Sequence, residues 1–132
     1  MSIAQNIKII RQNLFDCDAD AYLHQVNAHG IWGSGVAKEM KKRYPRSWES
    51  DKLVLLHDPK KLGTFSFSAP DAKQDRWIFS VCGQFNFGRH KQYTDYSALL
   101  LGLESVRDFL RKMEFSNFSI AMPLKIGAEL LY

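Results

Sequence analysis

The sequence predicts an α/β domain: a mixed, largely buried sheet with helices on both faces. Three observations carry this. Short strand-like runs alternate with helix-like segments along the whole chain. The run AYLHQVNA has the length of a buried sheet strand and is followed at once by a glycine loop and a helical segment. Near the end, Leu99, Leu100, Leu103, Val106, Leu110 and Met113 recur at spacings of three and four, apart from one adjacent pair, the signature of a helix with one buried stripe.

Each element can be justified in order. Ile7, Ile9 and Ile10 suggest a first strand, closed by Asn13 and the acid-rich DCDAD. AYLHQVNA is the second strand, and HGIWGSG the glycine loop. VAKEMKKRY has helical composition and stops before Pro45. RSWESDKLVLL reads as another helix with Trp48, Leu53 and Leu56 turned inward. GTFSFSAP and RWIFSVCG are strands joined by the polar turn PDAKQD. The long helix runs from Thr94, a plausible N-cap, to about Met113, and FSIAMP is the last strand.

Length and composition bound the function classes. With 132 residues, 45% of them apolar and 24% charged, the chain is expected to be a single domain over 1–132. Its longest apolar runs, 53–56 and 98–103, fall far short of a membrane helix, and the start has no secretory pattern. Cys17 and Cys82 are read as two reduced thiols, so the expectation is a cytoplasmic protein with no metal site, no cofactor and no membrane partner. The net charge of +4 is local. Between Lys38 and Arg46 stand five basic residues and one acid, while the remainder balances at 13 of each sign. Such a patch attracts anions, or is simply a solvated helix face.

The chemistry concentrates where the second strand ends. Gly30, Gly33 and Gly35 free the backbone for positive φ and for close approach of a ligand. The loop then enters a helix whose first N–H groups lack internal partners, a natural phosphate site. The spacing G-x-x-G-x-G is neither the dinucleotide G-x-G-x-x-G nor a triphosphate loop with G-K-[S/T].

VNAHGIWGSGVAKEMKKRYP resembles the first ligand loop of macrodomains, the ADP-ribose-binding α/β modules. Within them it is most similar to the branch that includes phage proteins and ADP-ribose 1''-phosphate phosphatases. VCGQFNFGRHKQYTDYSAL resembles that branch's strand, Gln-bearing loop and helix start, and SIAMPLKIG the strand leading to a second ligand loop. The resemblance implies a three-layer α/β/α macrodomain fold that recognises ADP-ribose or its 1''-phosphate, with hydrolysis of the latter to ADP-ribose and phosphate in active members. It implies amides of Gly33, Ser34, Gly35 and Val36 on the diphosphate and distal ribose, with Ala28, Phe85, Ile126 and Gly127 also at the ligand. Asn27 would bind the distal ribose and position the reacting group. Asn13, beside Leu14, aligns with an Asp that binds the adenine amino group; here the pair is Gln12–Asn13, so only an uncharged carbonyl can serve. His29, the one ionisable side chain of the first loop, is the candidate acid–base group. Gln84 lies where some macrodomain glycohydrolases place a catalytic lysine, and glutamine cannot form a Schiff base.

The largest departure lies at the end, where the chain reads Ile126-Gly127-Ala128-Glu129-Leu130-Leu131-Tyr132 in place of the branch's second glycine loop and following helix. The resemblance therefore implies a domain incomplete at its C-terminus, with a second copy of the chain, a homodimer, as one way to cover the missing helix's surface. The alternatives are a non-catalytic ADP-ribose-binding module, and a remnant whose basic helix binds polyanions or nucleic acid, the last ranked below the others.

Overall fold

The computed structural model describes residues 7–88 and 93–124. Four strands form one sheet in the order β2-β3-β1-β4, with β1 Ala21–Asn27, β2 Phe65–Ser68, β3 Trp77–Gln84 and β4 Ile120–Ala121. β1 runs parallel to both β3 and β4, and β2 pairs antiparallel with β3, so the sheet is mixed as expected. All seven residues of β1 are buried, which places it centrally between two covered faces. Its side chains alternate with period two. Tyr22 and Val26, with Ile78 and Cys82 of β3, enter one core; Ala21 and Leu23, with Phe79 and Val81, enter the other. Helices α1 (Gly35–Arg43) and α2 (Pro45–Lys52) contribute Val36, Met40 and Trp48 to the first core. Helix α3 (Tyr96–Lys112) closes the second with Leu99 and Val106. The result is the three-layer α/β/α arrangement expected from the sequence.

Four details differ from the sequence expectation, each for a physical reason. Ile7, Ile9 and Ile10 form no strand and are exposed, because no described neighbour offers them a half-buried sheet surface. Helix α2 ends at Lys52, so Leu53 and Leu56 are exposed, and the buried residues of α2 are Ser47 and Asp51. Trp48 does pack inward. Asp95, not Thr94, caps α3 by accepting from the Ala98 N–H. Leu100 of α3 and Met113, its C-cap, are exposed while Ala98 and Gly102 are buried: the stripe narrows to small residues where the helix lies close on β3. Cys17 and Cys82 are free thiols, and burial pushes Cys82 up to about 11, which makes it inert as a nucleophile. No helix among the described residues is long and apolar enough to cross a membrane.

Candidate functional site

The parallel pairing of β1 with β3 sets Asn27 opposite Gln84, with a register shift just before them. Ligands of open α/β sheets bind beyond such strand carboxyl ends. Asn27 then organises the glycine loop. Its Oδ1 accepts from the His29 N–H at 2.9 Å and the Ile31 N–H at 3.3 Å, and its Nδ2 donates to the Ile31 carbonyl at 2.7 Å. The chain can turn this tightly because Gly30 sits at φ +67 and Gly35 at φ +59. Gly33, by contrast, is not among the positive-φ glycines, and a Cβ there would meet only Ile31, at 3.9 Å. Ser34 caps α1 by position alone: its side chain makes no capping bond, and no acidic residue occupies the first turn. The leading amides of α1 and the positive end of its dipole are left open for an anion.

Buried polar chemistry fixes this loop to the core. Trp32 is 3% exposed, and its Nε1–H donates to Asp51 Oδ2 at 3.1 Å. Asp51 also meets Lys61 Nζ at 3.0 Å and accepts from Ser66 Oγ at 3.3 Å, with both charged side chains fully buried. Burial raises the Asp51 carboxyl above its ordinary range, and the Lys61 ammonium opposes that rise. On its other side Trp32 meets the His24 ring edge-on, with centroids 4.8 Å apart. His24 bonds Ser80 Oγ through Nε2 at 2.8 Å and has no partner at Nδ1; burial drives it down to about 3, so it is neutral. Trp48 Nε1 donates to the Gly30 carbonyl at 2.9 Å. Trp32 therefore anchors the loop and does not wall the ligand space. Sequence reading missed this network, since Asp51 and Lys61 look like ordinary surface charges in polar segments.

A cleft of about 300 Å³ opens beside the loop. It brings together four expected site residues, Asn27, Gly33, Ser34 and Gln84, and adds Gln25, Val26, Ile31, Ala37, Phe87 and Gly88. None of its described lining side chains is ionisable. Gln84 is 4% exposed and fully engaged: its Oε1 accepts from Gln25 Nε2 at 2.5 Å and its Nε2 donates to the Asn86 carbonyl at 2.7 Å. Gln25 Nε2 also reaches Thr94 Oγ1 at 3.0 Å, tying the strand ends to the start of α3. An amide at position 84 thus builds the cleft floor where a lysine would carry a charge.

The remaining expected residues stand outside the lining. Asn13 caps a short turn, accepting from the Phe15 N–H at 2.9 Å, and Leu14 packs on the first core. Ala28 is buried, its N–H donating to the Phe85 carbonyl at 3.2 Å; Phe85 itself leans on the core. Gly35 and Val36 form the first turn of α1. The His29 ring lies edge-on to Phe85, with its centroid 6.3 Å from that of the cleft residue Phe87. Ile126 and Gly127 lie outside the described residues. Part of the basic stretch is engaged locally: Arg43 pairs with Glu39 at 2.8 Å and Arg46 with Asp71 at 3.2 Å, and Lys41 lies 3.8 Å over the Trp48 ring. Lys38 and Lys42 are left as solvent-facing cations. Among the described residues, no group of three or more His, Cys, Asp or Glu is placed to hold a metal.

The fold is the one seen in solved macrodomains. The macrodomain of Mycobacterium tuberculosis DarG superposes with a TM-score of 0.71 at 18% identity, covering 91% of this chain and 76% of that one. Thermosipho africanus DarTG, solved in complex with ADP-ribose, gives 0.69 at 17% identity over 89% of this chain and 32% of that one. In sequence, the chain is 26% identical over 119 residues to a DNA ADP-ribosyl glycohydrolase of Thermus aquaticus, covering 89% of this chain and 31% of the relative. It is 43% identical over 44 residues to an ADP-ribose 1''-phosphate phosphatase of Aspergillus oryzae, covering 33% of this chain and 22% of that protein. The chain thus spans about a third or less of these two relatives. No family model matches it.

Proposed function

We propose that the chain recognises ADP-ribose or ADP-ribose 1''-phosphate in the cleft at the carboxyl ends of β1 and β3. The observation that carries this is the loop Asn27–Gly35, held from behind by its own asparagine and by Trp32, and opening onto a helix start with no side-chain cap and no acidic residue in its first turn. Such amides suit a diphosphate, and both curated relatives are named for ADP-ribose chemistry. Recognition ranks ahead of turnover, because the described lining holds amides, a hydroxyl and apolar groups but no acid, base or nucleophile. Hydrolysis of the 1''-phosphate, where it occurs, falls to His29 as the acid–base group, with the loop amides stabilising charge on the phosphate.

Calorimetry with ADP-ribose is the test. The native chain should bind in the micromolar range, and Gly33→Glu should weaken binding at least tenfold with an unchanged melting temperature, because position 33 has room for a side chain. Equal affinity in both proteins would sink the proposal. A second reading, with ADP-ribose carried on a nucleic acid, draws on the Thermus aquaticus relative and on exposed Lys38 and Lys42 of the helix that follows the loop. Affinity for ADP-ribosylated DNA that falls steeply with salt, beside salt-insensitive binding of free ADP-ribose, would favour it.

A further inference from the structure

His57 lies in the loop after α2 with φ +67, the left-handed region that costs a non-glycine residue strain and persists where the surroundings enforce it. Here its N–H donates to the Ala28 carbonyl at 2.8 Å. That bond brings its ring against His29, with the two Nδ1 atoms 2.8 Å apart. At this distance one nitrogen donates and the other accepts, so the pair shares a single proton at that contact. The other His29 nitrogen resolves which. Nε2 faces Asn86 Oδ1 at 3.3 Å, and a carbonyl oxygen only accepts. With the Asn86 amide turned this way and both rings neutral, His29 carries its hydrogen on Nε2, its Nδ1 accepts, and His57 Nδ1–H donates.

We propose that His57 is the positioning residue of His29, holding it in the Nε2–H tautomer so that it offers a hydrogen-bond donor, rather than a lone pair, at the rim of the cleft. The acceptor it suits is an anionic oxygen, such as the terminal phosphate of ADP-ribose 1''-phosphate. This ligand half rests on the reading of the cleft given above; the tautomer half does not. His29 follows directly on the turn that Asn27 closes, its ring edge-on to Phe85 at 4.7 Å. Phe87, which lines the cleft, and Asn86, which accepts from Nε2, belong to one loop after β3. In this tautomer His29 serves the donor half of its proposed acid–base role, because its remaining lone pair, on Nδ1, is taken by His57.

Two variants separate the possibilities, because Asn and Asp, like His, tolerate positive φ. His57→Asn keeps an N–H donor near the place of Nδ1, whereas His57→Asp presents only acceptor oxygens there. Nitrogen-15 spectra of the His29 ring, recorded at about pH 9, should show Nε2–H in the native chain and in His57→Asn, and Nδ1–H in His57→Asp. At the same pH, affinity for ADP-ribose 1''-phosphate should fall about tenfold in His57→Asp and return to within about twofold of native in His57→Asn. Affinity for ADP-ribose itself should stay within about threefold in both. Nδ1–H on His29 in the native chain, or an unchanged tautomer in His57→Asp, overturns the pairing. A switched tautomer with unchanged preference for the phosphate overturns the donor role. A native chain that binds neither ligand defeats the reading of the cleft instead, and the spectra still decide the role of His57.

Discussion

At the scale of single residues, the loop's conformation depends on charges that no ligand touches. Asp51 and Lys61 are buried side by side, and Asp51 also takes the indole N–H of Trp32. Removing one member of such a pair strands the other in a low-dielectric interior. Lys61→Met should therefore cost about 3–5 kcal/mol in urea denaturation and loosen Trp32, weakening ADP-ribose binding as well. The double variant Asp51→Leu/Lys61→Met should recover a large part of the stability, since neither charge then remains unpaired. A single variant within about 1 kcal/mol of the native chain would show that the pair is solvated after all. This also marks the limit of what the sequence discloses. The glycines and Asn27 are legible because their backbone and amide roles are local. Asp51 and Lys61 lie ten positions apart in polar segments, and only the tertiary contact distinguishes them from surface charges. Likewise Gly83 reads as an ordinary strand residue, yet a Cβ there would overlap the Gln25 amide that builds the cleft floor.

At the scale of elements, α1 sets stability against binding. Its N-cap, Ser34, sits in an extended conformation suited to capping but makes no side-chain bond, and its first turn lacks any acid. Ser34→Asp supplies a cap and a charge that complements the dipole, so the protein should gain about 0.5–1 kcal/mol. The same carboxylate would occupy the place proposed for the ligand's diphosphate, so ADP-ribose affinity should drop at least tenfold. Thermal denaturation and calorimetry on one preparation check both signs. A variant that is stabilised yet binds normally would place the anion elsewhere. The elements themselves were legible where period and partner agree. β1 and β3 stand out because both faces are covered, and α3 because Leu99, Leu103, Val106 and Leu110 keep one face of it on the second core. Ile7–Ile10 carried a strand-like pattern too, but a pattern only states what a strand would bury, not whether a neighbour exists to bury it. In α2 the leucines misled for a related reason: the helix ends at Lys52, before them, and what it buries is Ser47 and Asp51.

At the scale of the molecule, the sheet separates two cores, and the one beneath the glycine loop contains a histidine that has to remain uncharged. His24 is fully buried against Trp32 and Ser80, and desolvation holds it down to about 3, against an ordinary value of 6.5. Above pH 6.5 both the folded and unfolded chains carry it neutral, and the fold has its full stability. As pH falls below 6.5, the unfolded chain takes up a proton that the native core refuses. Stability is then lost at about 1.4 kcal/mol per pH unit until the folded value near 3 is reached. About 2 kcal/mol should therefore disappear between pH 6.5 and pH 5 from this one group. Asp51, whose carboxyl burial raises, works in the opposite direction as pH falls, while Asp75, held down by Arg76, and Glu39, held down by Arg43, act only below the ordinary carboxylate range. The difference between the native chain and His24→Leu isolates the histidine from all of these. Urea denaturation at pH 7 and pH 5 should show the native chain losing about 2 kcal/mol more than the variant over that interval. Because His24 and Asp51 both contact Trp32, the acid loss should begin at the loop, so quenching or shift of Trp32 fluorescence should precede global unfolding as pH is lowered. Parallel slopes in the two proteins would mean that water reaches His24 and that the first core is not sealed beneath the loop.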